Sequence, residues 1–309
     1  MRFGIHAGPQ DCSLADLRRL WRVADEHFDW CSVWDHLYSV SDLADPAKPA
    51  FEGVAIMSAL AAVTTRVEVG CLVFCTGYRN PGVLAKAAVT IDHVSGGRCV
   101  LGIGAGWNQA EFDAFGMPFQ AIGRRLDHLE ETAQALRRLF DGETVTLDGK
   151  AVTVRDAVCS PRPLQARLPI WIGGAGEKRM LRIVARWADG WNVPFMAPET
   201  WAAKNAVLDG WCDRVDRDPR AIRRTVNVGL AIGEDDARAK AQEAKLQSMF
   251  GALTEWVKPG HLVGTPAAVR DRLGRYERAG AEQVILALRA PFDWEGIDLF
   301  VREVLPAFR

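Results

Sequence analysis

The strongest constraint on this chain is a rhythm. Short apolar runs alternate with stretches whose apolar residues recur at helical spacing, and the cycle returns eight times. The strand-like runs are "FGIHAG" (3–8), "WCSVWDH" (30–36), "RVEVGCLVF" (66–74), "RCVLGIG" (98–104), "LPIWIGG" (168–174), "DGWNVPF" (189–195), "TVNVGLAIG" (225–233) and "EQVILAL" (282–288). Helical patterns fall at 14–28, 53–63, 81–94, 122–140, 177–187, 198–215, 234–249, 265–280 and 293–305. The stretch 122–140 aligns Leu126, Leu129, Ala133, Leu136 and Leu139 on one face. Pro81 and Pro266 open their helices at a position proline tolerates. The rhythm is interrupted once, near 141–168, where "TVTLDGKAVTV" (144–154) reads as two strands joined by an Asp148-Gly149 turn. Eight strand–helix cycles predict an α/β protein built as a (β/α)8 TIM barrel, one domain over 1–309 with a hairpin-containing insertion. A doubly wound open sheet is the rival.

Charge and cysteine content narrow the function. Lys and Arg number 38 against 39 Asp and Glu, so the formal net charge is −1. That balance points to no nucleic acid and no membrane surface as partner. The longest uncharged apolar run, "GVAIMSALAAV" from Gly53, is too short to cross a bilayer, and no secretory signal pattern opens the chain. A cytoplasmic setting is expected. The seven cysteines are scattered, with no C-x-x-C pair, and the six histidines form no metal-ligand spacing. No metal site is expected.

In a barrel the site gathers at the C-terminal ends of the strands. "GIGAGW" (102–107) ends the fourth strand. Glycines without Cβ let another object lie against the backbone, a planar ring among them; a tight strand-to-helix turn is the alternative. The spacing is not that of a dinucleotide fingerprint. "IGGAGEKR" (172–179) ends the fifth strand and opens a helix, a context in which backbone N–H groups hold a phosphate, or a plain turn. "WDH" (34–36) puts an acid beside an imidazole. Such a pair can fix a histidine tautomer or relay a proton, or serve as a local cap. His6 ends the first strand in a similar way. Trp34, Phe74, Tyr78, Trp107, Phe112, Trp191 and Phe195 cluster at the same ends and suit a flat, largely apolar ligand as well as they suit packing.

Three stretches carry a resemblance: "GYRNPGVLAKAAVTIDHVSGGRCVLGIGAGWNQAEFDAFG" (77–116), "LPIWIGGAGEKRMLRIVARWADGWN" (168–192) and "LVGTPAAVRDRL" (262–273). With "VWDH" (33–36), they are similar to the bacterial luciferase-like superfamily of flavin and deazaflavin oxidoreductases, and most of all to its F420-dependent branch. The resemblance implies a barrel with an inserted segment, often a homodimer, holding F420 or FMN at its mouth. It implies a bulge in the third strand behind the cofactor ring, within Gly70 to Phe74 and centred on Leu72 and Val73, with a non-proline cis peptide in some members. It assigns Gly104, Gly106 and Trp107 to the cofactor wall and Gly173, Gly174, Ala175 and Gly176 to the phosphate. It makes His36, held by Asp35, the proton-transfer group, with His6 a second candidate. One departure matters: the sugar-phosphate dehydrogenase branch carries a Glu directly after the fourth-strand glycines, and this chain has Trp107. Glucose 6-phosphate oxidation is therefore not expected. Trp107 stands as an aromatic wall of the pocket or as packing under the next loop. Lys178, Arg179 and Arg182 are candidates for an acidic cofactor tail, or a solvated helix face. The expected activity is hydride transfer between F420 and a small, mostly apolar organic substrate. An FMNH2-dependent monooxygenase on the same barrel is the alternative, and a non-catalytic cofactor-binding protein is a third.

Overall fold

A strand enclosed by helices on one side and a filled barrel on the other must be apolar on both faces. The strands obey this: all six residues of Cys99–Gly104 and all four of Trp30–Val33 are buried. The computed structural model describes residues 1–40, 45 and 47–309. Its strands are β1 (Arg2–Ala7), β2 (Trp30–Val33), β3 (Glu68–Cys71), β4 (Phe74–Cys75), β5 (Cys99–Gly104), β6 (Val145–Asp148), β7 (Thr153–Ala157), β8 (Ile170–Gly173), β9 (Gly190–Pro194), β10 (Arg223–Ile232), β11 (His261–Gly264) and β12 (Gln283–Leu288). The helices are α1 (Leu14–His27), α2 (Gly53–Val63), α3 (Pro81–Ser95), α4 (Gln109–Ala114), α5 (Ile122–Phe140), α6 (Met180–Trp187), α7 (Pro198–Arg214), α8 (Asp236–Ser248), α9 (Thr254–Val257), α10 (Pro266–Arg278) and α11 (Trp294–Glu303).

Strands β1, β2, β3, β5, β8, β9, β10 and β12 pair in parallel in that order, and β12 pairs back onto β1. The sheet is thus a closed barrel, and the open-sheet alternative falls away. The ten-residue β10 outruns the ring: Thr225–Val228 pair with β12, while Gly229–Ile232 pair with β11, a strand the sequence pattern does not announce.

Local signals set the helix ends. Ser13 and Asp16 form a reciprocal capping box at α1. Asn80 caps α3 by accepting from the Gly82 N–H at 2.8 Å, with Pro81 at the first position and Gly96 closing the helix at φ 69°. The barrel lumen is packed by two stacked indoles, Trp30 and Trp171, with centroids 4.4 Å apart, joined by Val100, Ile285 and Leu72. A Cβ on Gly70 would lie 2.3 Å from the Trp30 ring, and one on Gly190 2.4 Å from Trp171, so these two strands must lack side chains where the indoles lie.

The insertion holds the expected hairpin, β6 against β7, but not the expected turn. Asp148 pairs with Thr153, and the loop between them wraps the Glu131 carboxylate of α5, which accepts the N–H groups of Lys150, Ala151 and Val152 at 2.8 Å each. Neither Asp148 nor Gly149 has a positive φ. The Glu131 carboxylate that the loop wraps, rather than intrinsic turn chemistry, decides its shape. Among the described residues no helix is long and apolar enough to cross a membrane.

Candidate active site

All eight barrel strands run the same way, so His6, residues 34–36, Cys75, Gly104 to Trp107, Gly173 to Gly176 and Leu288 to Ala290 share one end of the barrel. Between β3 and β4 the third strand breaks, and the Leu72–Val73 peptide bond is cis. Leu72 donates its N–H to the Val33 carbonyl at 2.8 Å and joins the lumen cluster. Phe74 and Cys75 then resume pairing, with Ile103 and Gly104.

The glycines of β5 and β8 make this break possible. A Cβ on Gly102 would sit 2.0 Å from the Cys71 carbonyl oxygen, one on Gly104 2.5 Å from Val73 Cγ2, and one on Gly173 2.9 Å from Val73 Cγ1. Gly106 has φ 76°, and a Cβ there would meet Cys75 Sγ at 2.6 Å. The alternating glycines thus accept the displaced third strand from both sides.

Adjacent in sequence, Asp35 and His36 do not touch. Just past β2, Trp34 and His36 set their rings 5.8 Å apart, while Asp35 turns to Arg79 and the Cys75 N–H instead. Asp35 is buried and accepts a two-pronged pair from Arg79, Nη1 to Oδ2 at 2.5 Å and Nη2 to Oδ1 at 2.7 Å, plus the Cys75 N–H at 2.9 Å. Burial raises the Asp35 carboxyl above its ordinary range, and the Arg79 fork opposes that rise. Arg79 also binds Glu52, the N-cap of α2. Asp35 therefore clamps the loop after β4 to the end of β2.

The true partner of His36 is Glu111, on α4. Its Oε2 lies 2.9 Å and its Oε1 3.1 Å from His36 Nδ1. The same carboxylate, itself buried, accepts the Leu37 N–H at 2.6 Å, the Tyr38 N–H at 3.1 Å and the Tyr78 hydroxyl at 2.8 Å. Burial alone would raise its pKa; the hydrogen bond and charge of His36, then the Tyr38 N–H and the Tyr78 hydroxyl, reverse this and hold it below the usual value. A carboxylate only accepts, so Nδ1 carries hydrogen and Nε2 is the nitrogen left for exchange with another molecule.

Trp107 is half exposed and sets its ring 5.4 Å from the His36 ring at 72°. It walls the histidine rather than packing under the loop. His6 is buried, bonded through Nδ1 to Ser32 Oγ at 2.9 Å, and stands edge-on to Trp34 at 5.6 Å. Burial, then the charges of Arg289 and His36, lower its pKa to about 3. It is a neutral imidazole at physiological pH. Cys75 is no nucleophile: burial pushes its thiol up to about 12.

At the end of β8 the Gly174 N–H is taken by the Asn192 carbonyl at 3.1 Å. Among the described residues no protein oxygen accepts the N–H groups of Ala175 and Gly176. Gly174 has φ 140°, which L side chains rarely adopt. This glycine-rich turn ahead of α6 suits the phosphate of a flavin-type cofactor. Of the basic residues that follow, Arg179 is bound to Asp127 at 2.6 Å and to the Gly123 carbonyl, and Arg182 to Glu130 at 3.0 Å. Only Lys178 of the three is exposed without such a tie to α5.

What these features define first is a (β/α)8-barrel protein with a carboxylate-held histidine and a glycine-rich turn at the C-terminal ends of its strands. The chain belongs to the luciferase-like monooxygenase family, whose profile matches residues 1–254. An uncharacterized protein of Mycobacterium tuberculosis is 36% identical over 135 residues, 44% of this chain and 47% of that protein, so the match spans about half of that relative. The 5,10-methylenetetrahydromethanopterin reductase of Archaeoglobus fulgidus is 26% identical over 96% of this chain and 81% of its own length. Among solved structures, an F420-dependent secondary alcohol dehydrogenase in complex with an F420–acetone adduct superposes with a TM-score of 0.86 at 20% identity, over 100% of this chain and 99% of that one. At that identity the likeness is one of fold.

Proposed function

We propose that this chain is an oxidoreductase that transfers a hydride between coenzyme F420 and a small, mostly apolar organic substrate. The observation that carries the reading is His36, held by the buried Glu111 with Nε2 left free, at the barrel end that also bears the Leu72–Val73 break and the open N–H groups of Ala175 and Gly176. The F420-dependent fold neighbour, and an F420-dependent glucose-6-phosphate dehydrogenase of Microbacterium testaceum that is 32% identical over 62% of this chain and 56% of its own length, support the choice of cofactor.

The residues present fit such a group. Leu72, Val73 and Trp107 would back its ring, with Gly104, Gly106 and Gly173 behind them giving room to Val73 and Cys75, and the turn through Gly174, Ala175 and Gly176 would hold its phosphate. F420, when bound, supplies a two-electron hydride carrier; the protein supplies orientation and a proton route. Glu111 fixes the His36 tautomer. His36 Nε2 takes the proton from a substrate hydroxyl in oxidation, or gives one to a carbonyl oxygen in reduction. Neutral His6 contributes a hydrogen bond rather than a charge. Asp35 acts through Arg79 and the Cys75 N–H, as a positioning residue for the loop that carries Tyr78. The homodimer and the cytoplasmic setting rest on the resemblance and the composition.

The family description favours a second reading, an FMNH2-dependent monooxygenase. A paired titration of the purified protein with oxidised F420 and with FMN, followed by fluorescence, separates the two. Micromolar F420 binding with weak FMN binding supports the first. A preference for FMN, with oxygen consumed in the presence of FMNH2 and substrate, supports the second. Binding of neither overturns both.

A further inference from the structure

A cavity of about 260 Å³ opens at the ends of β1, β2 and β12, its lining including the charged Asp11, Lys48 and Arg289 together with Trp34, Met249 and Leu288. Nothing in the hydride-transfer reading uses it. Yet it borders the reactive histidines, because Trp34 forms one wall and stands edge-on to both His6 and His36.

Arg289 is the unexplained group in this cavity. It lies over the Phe250 ring at 4.0 Å and the Trp34 ring at 5.4 Å. Its Nη1 is buried and has no hydrogen-bond partner. Burial lowers its pKa to about 10, and Asp11, the one charge that opposes this, acts only through space. Asp11 is engaged elsewhere, accepting from Gln10 Nε2 at 2.9 Å and Ser39 Oγ at 2.7 Å. The fold thus sets the Arg289 guanidinium between two aromatic rings at a cavity lined by the apolar Met249, Leu288, Ala290 and Trp34 ring and by the polar Gln10, Asp11 and Lys48. Arg137 and Arg182 also leave an Nε unmet, but each holds a carboxylate through Nη2; Arg289 makes no hydrogen bond among the described residues, and its buried donor costs free energy unless something arrives to accept it.

We propose that this cavity is the subsite for a carboxylate on an otherwise apolar substrate, recognised by Arg289. The assignment rests on the oxidoreductase reading of the adjoining site and deepens it: the substrate class becomes an aliphatic or aromatic acid, held by its carboxylate at Arg289 while its reacting carbon lies toward His36. Guanidinium matches carboxylate geometry, and the stacking on Phe250 and Trp34 keeps the fork in place without spending side-chain entropy on binding.

The test uses the protein without cofactor and two probes of equal shape, hexanoate and hexanamide, titrated by calorimetry at pH 7. Wild type should bind hexanoate about tenfold more tightly than hexanamide, the worth of one charge-assisted hydrogen bond. Arg289→Gln should erase that preference and Arg289→Lys should keep part of it. Met249→Glu, which sets a competing carboxylate in the same cavity, should also erase it, and serves if the Arg289→Gln protein does not fold. Equal binding of acid and amide by wild type overturns the proposal, as does a preference that survives in Arg289→Gln or Met249→Glu. F420 binding, measured separately by fluorescence, should be unchanged in Arg289→Gln. Failure of wild type to bind F420 would sink the oxidoreductase reading while leaving the acid–amide comparison to be read for itself.

Discussion

Replacing Glu111 tests the centre of the site most directly. Four donors converge on this one buried carboxylate: His36 Nδ1, the Leu37 and Tyr38 N–H groups and the Tyr78 hydroxyl. Glu111→Gln preserves the shape. Its carbonyl oxygen can still take the two main-chain N–H groups, and its amide now donates to Tyr78, whose hydroxyl rotates, and to His36. Each retained main-chain bond falls from the charged class, about 1.5–3 kcal/mol, to the neutral class, about 0.5–1.5 kcal/mol. The loss of a buried charge offsets part of this, leaving about 1–2 kcal/mol of destabilisation. Glu111→Ala instead strands the donors and should cost about 3–5 kcal/mol, as when one partner of a buried pair is removed. Urea denaturation at pH 7 measures both. The sign of the pH dependence follows from the lowered pKa of Glu111: its contribution is complete above the unfolded value of 4.5 and is lost as pH falls through the folded value. The gap between wild type and Glu111→Gln should therefore shrink in acid. The same change must also move hydrogen from His36 Nδ1 to Nε2, visible in long-range nitrogen–proton NMR of the imidazole. Equal stabilities for wild type and Glu111→Gln at pH 7, with an unchanged His36 tautomer, would refute the assignment of Glu111 as its holder.

The remaining predictions address the scaffold around that pair. Gly104→Ala places a methyl 2.5 Å from Val73 Cγ2 and should cost about 1–3 kcal/mol by overpacking; adding Val73→Ala should recover much of it, and strict additivity of the two in a double-mutant cycle would disprove the contact. Among the described residues Arg79→Ala leaves the Asp35 carboxylate with only the Cys75 N–H, and it should cost about 3–5 kcal/mol, so a loss under about 1 kcal/mol in chemical denaturation would contradict the clamp. His6 and His261 are both buried, with pKa values lowered by burial to about 3 and about 4. Below the unfolded value of 6.5 the unfolded chain binds protons that the folded chain refuses. Stability is therefore full above that pH and falls on acidification by up to about 1.4 kcal/mol per pH unit for each histidine. A His6→Asn protein should show the shallower slope.

The barrel was legible because its signal is distributed: burial of both strand faces repeats eight times, and no single residue decides it. The site was legible only where the backbone itself carries the information. Glycines at 102, 104, 106 and 173 marked a place of close approach, and the structure shows what approaches in the folded chain, Cys71, Val73 and Cys75 of the broken third strand. Side-chain partnerships were not legible, and "WDH" shows why. Adjacent in the chain just past β2, Asp35 and His36 take partners from different elements, Arg79 and Glu111, which adjacency in sequence does not reveal. The partner of His36 comes from 75 residues away, on the six-residue helix α4, which is too short for its periodicity to be read. A signal existed all the same: Glu111 is followed by the buried Phe112, and an acid embedded beside a core aromatic in a segment just past a barrel strand has to be satisfied by something. The same reasoning applies at Arg289, past the end of β12, where the described residues provide no acceptor for Nη1. A buried carboxylate with four donors is a finished structural element, whereas a partly buried guanidinium whose Nη1 has no partner among the described residues, beside a cavity, is open to a ligand. That difference, between a polar group the fold satisfies and one it leaves open, separates Glu111, which holds this site together, from Arg289, the residue proposed to take a ligand.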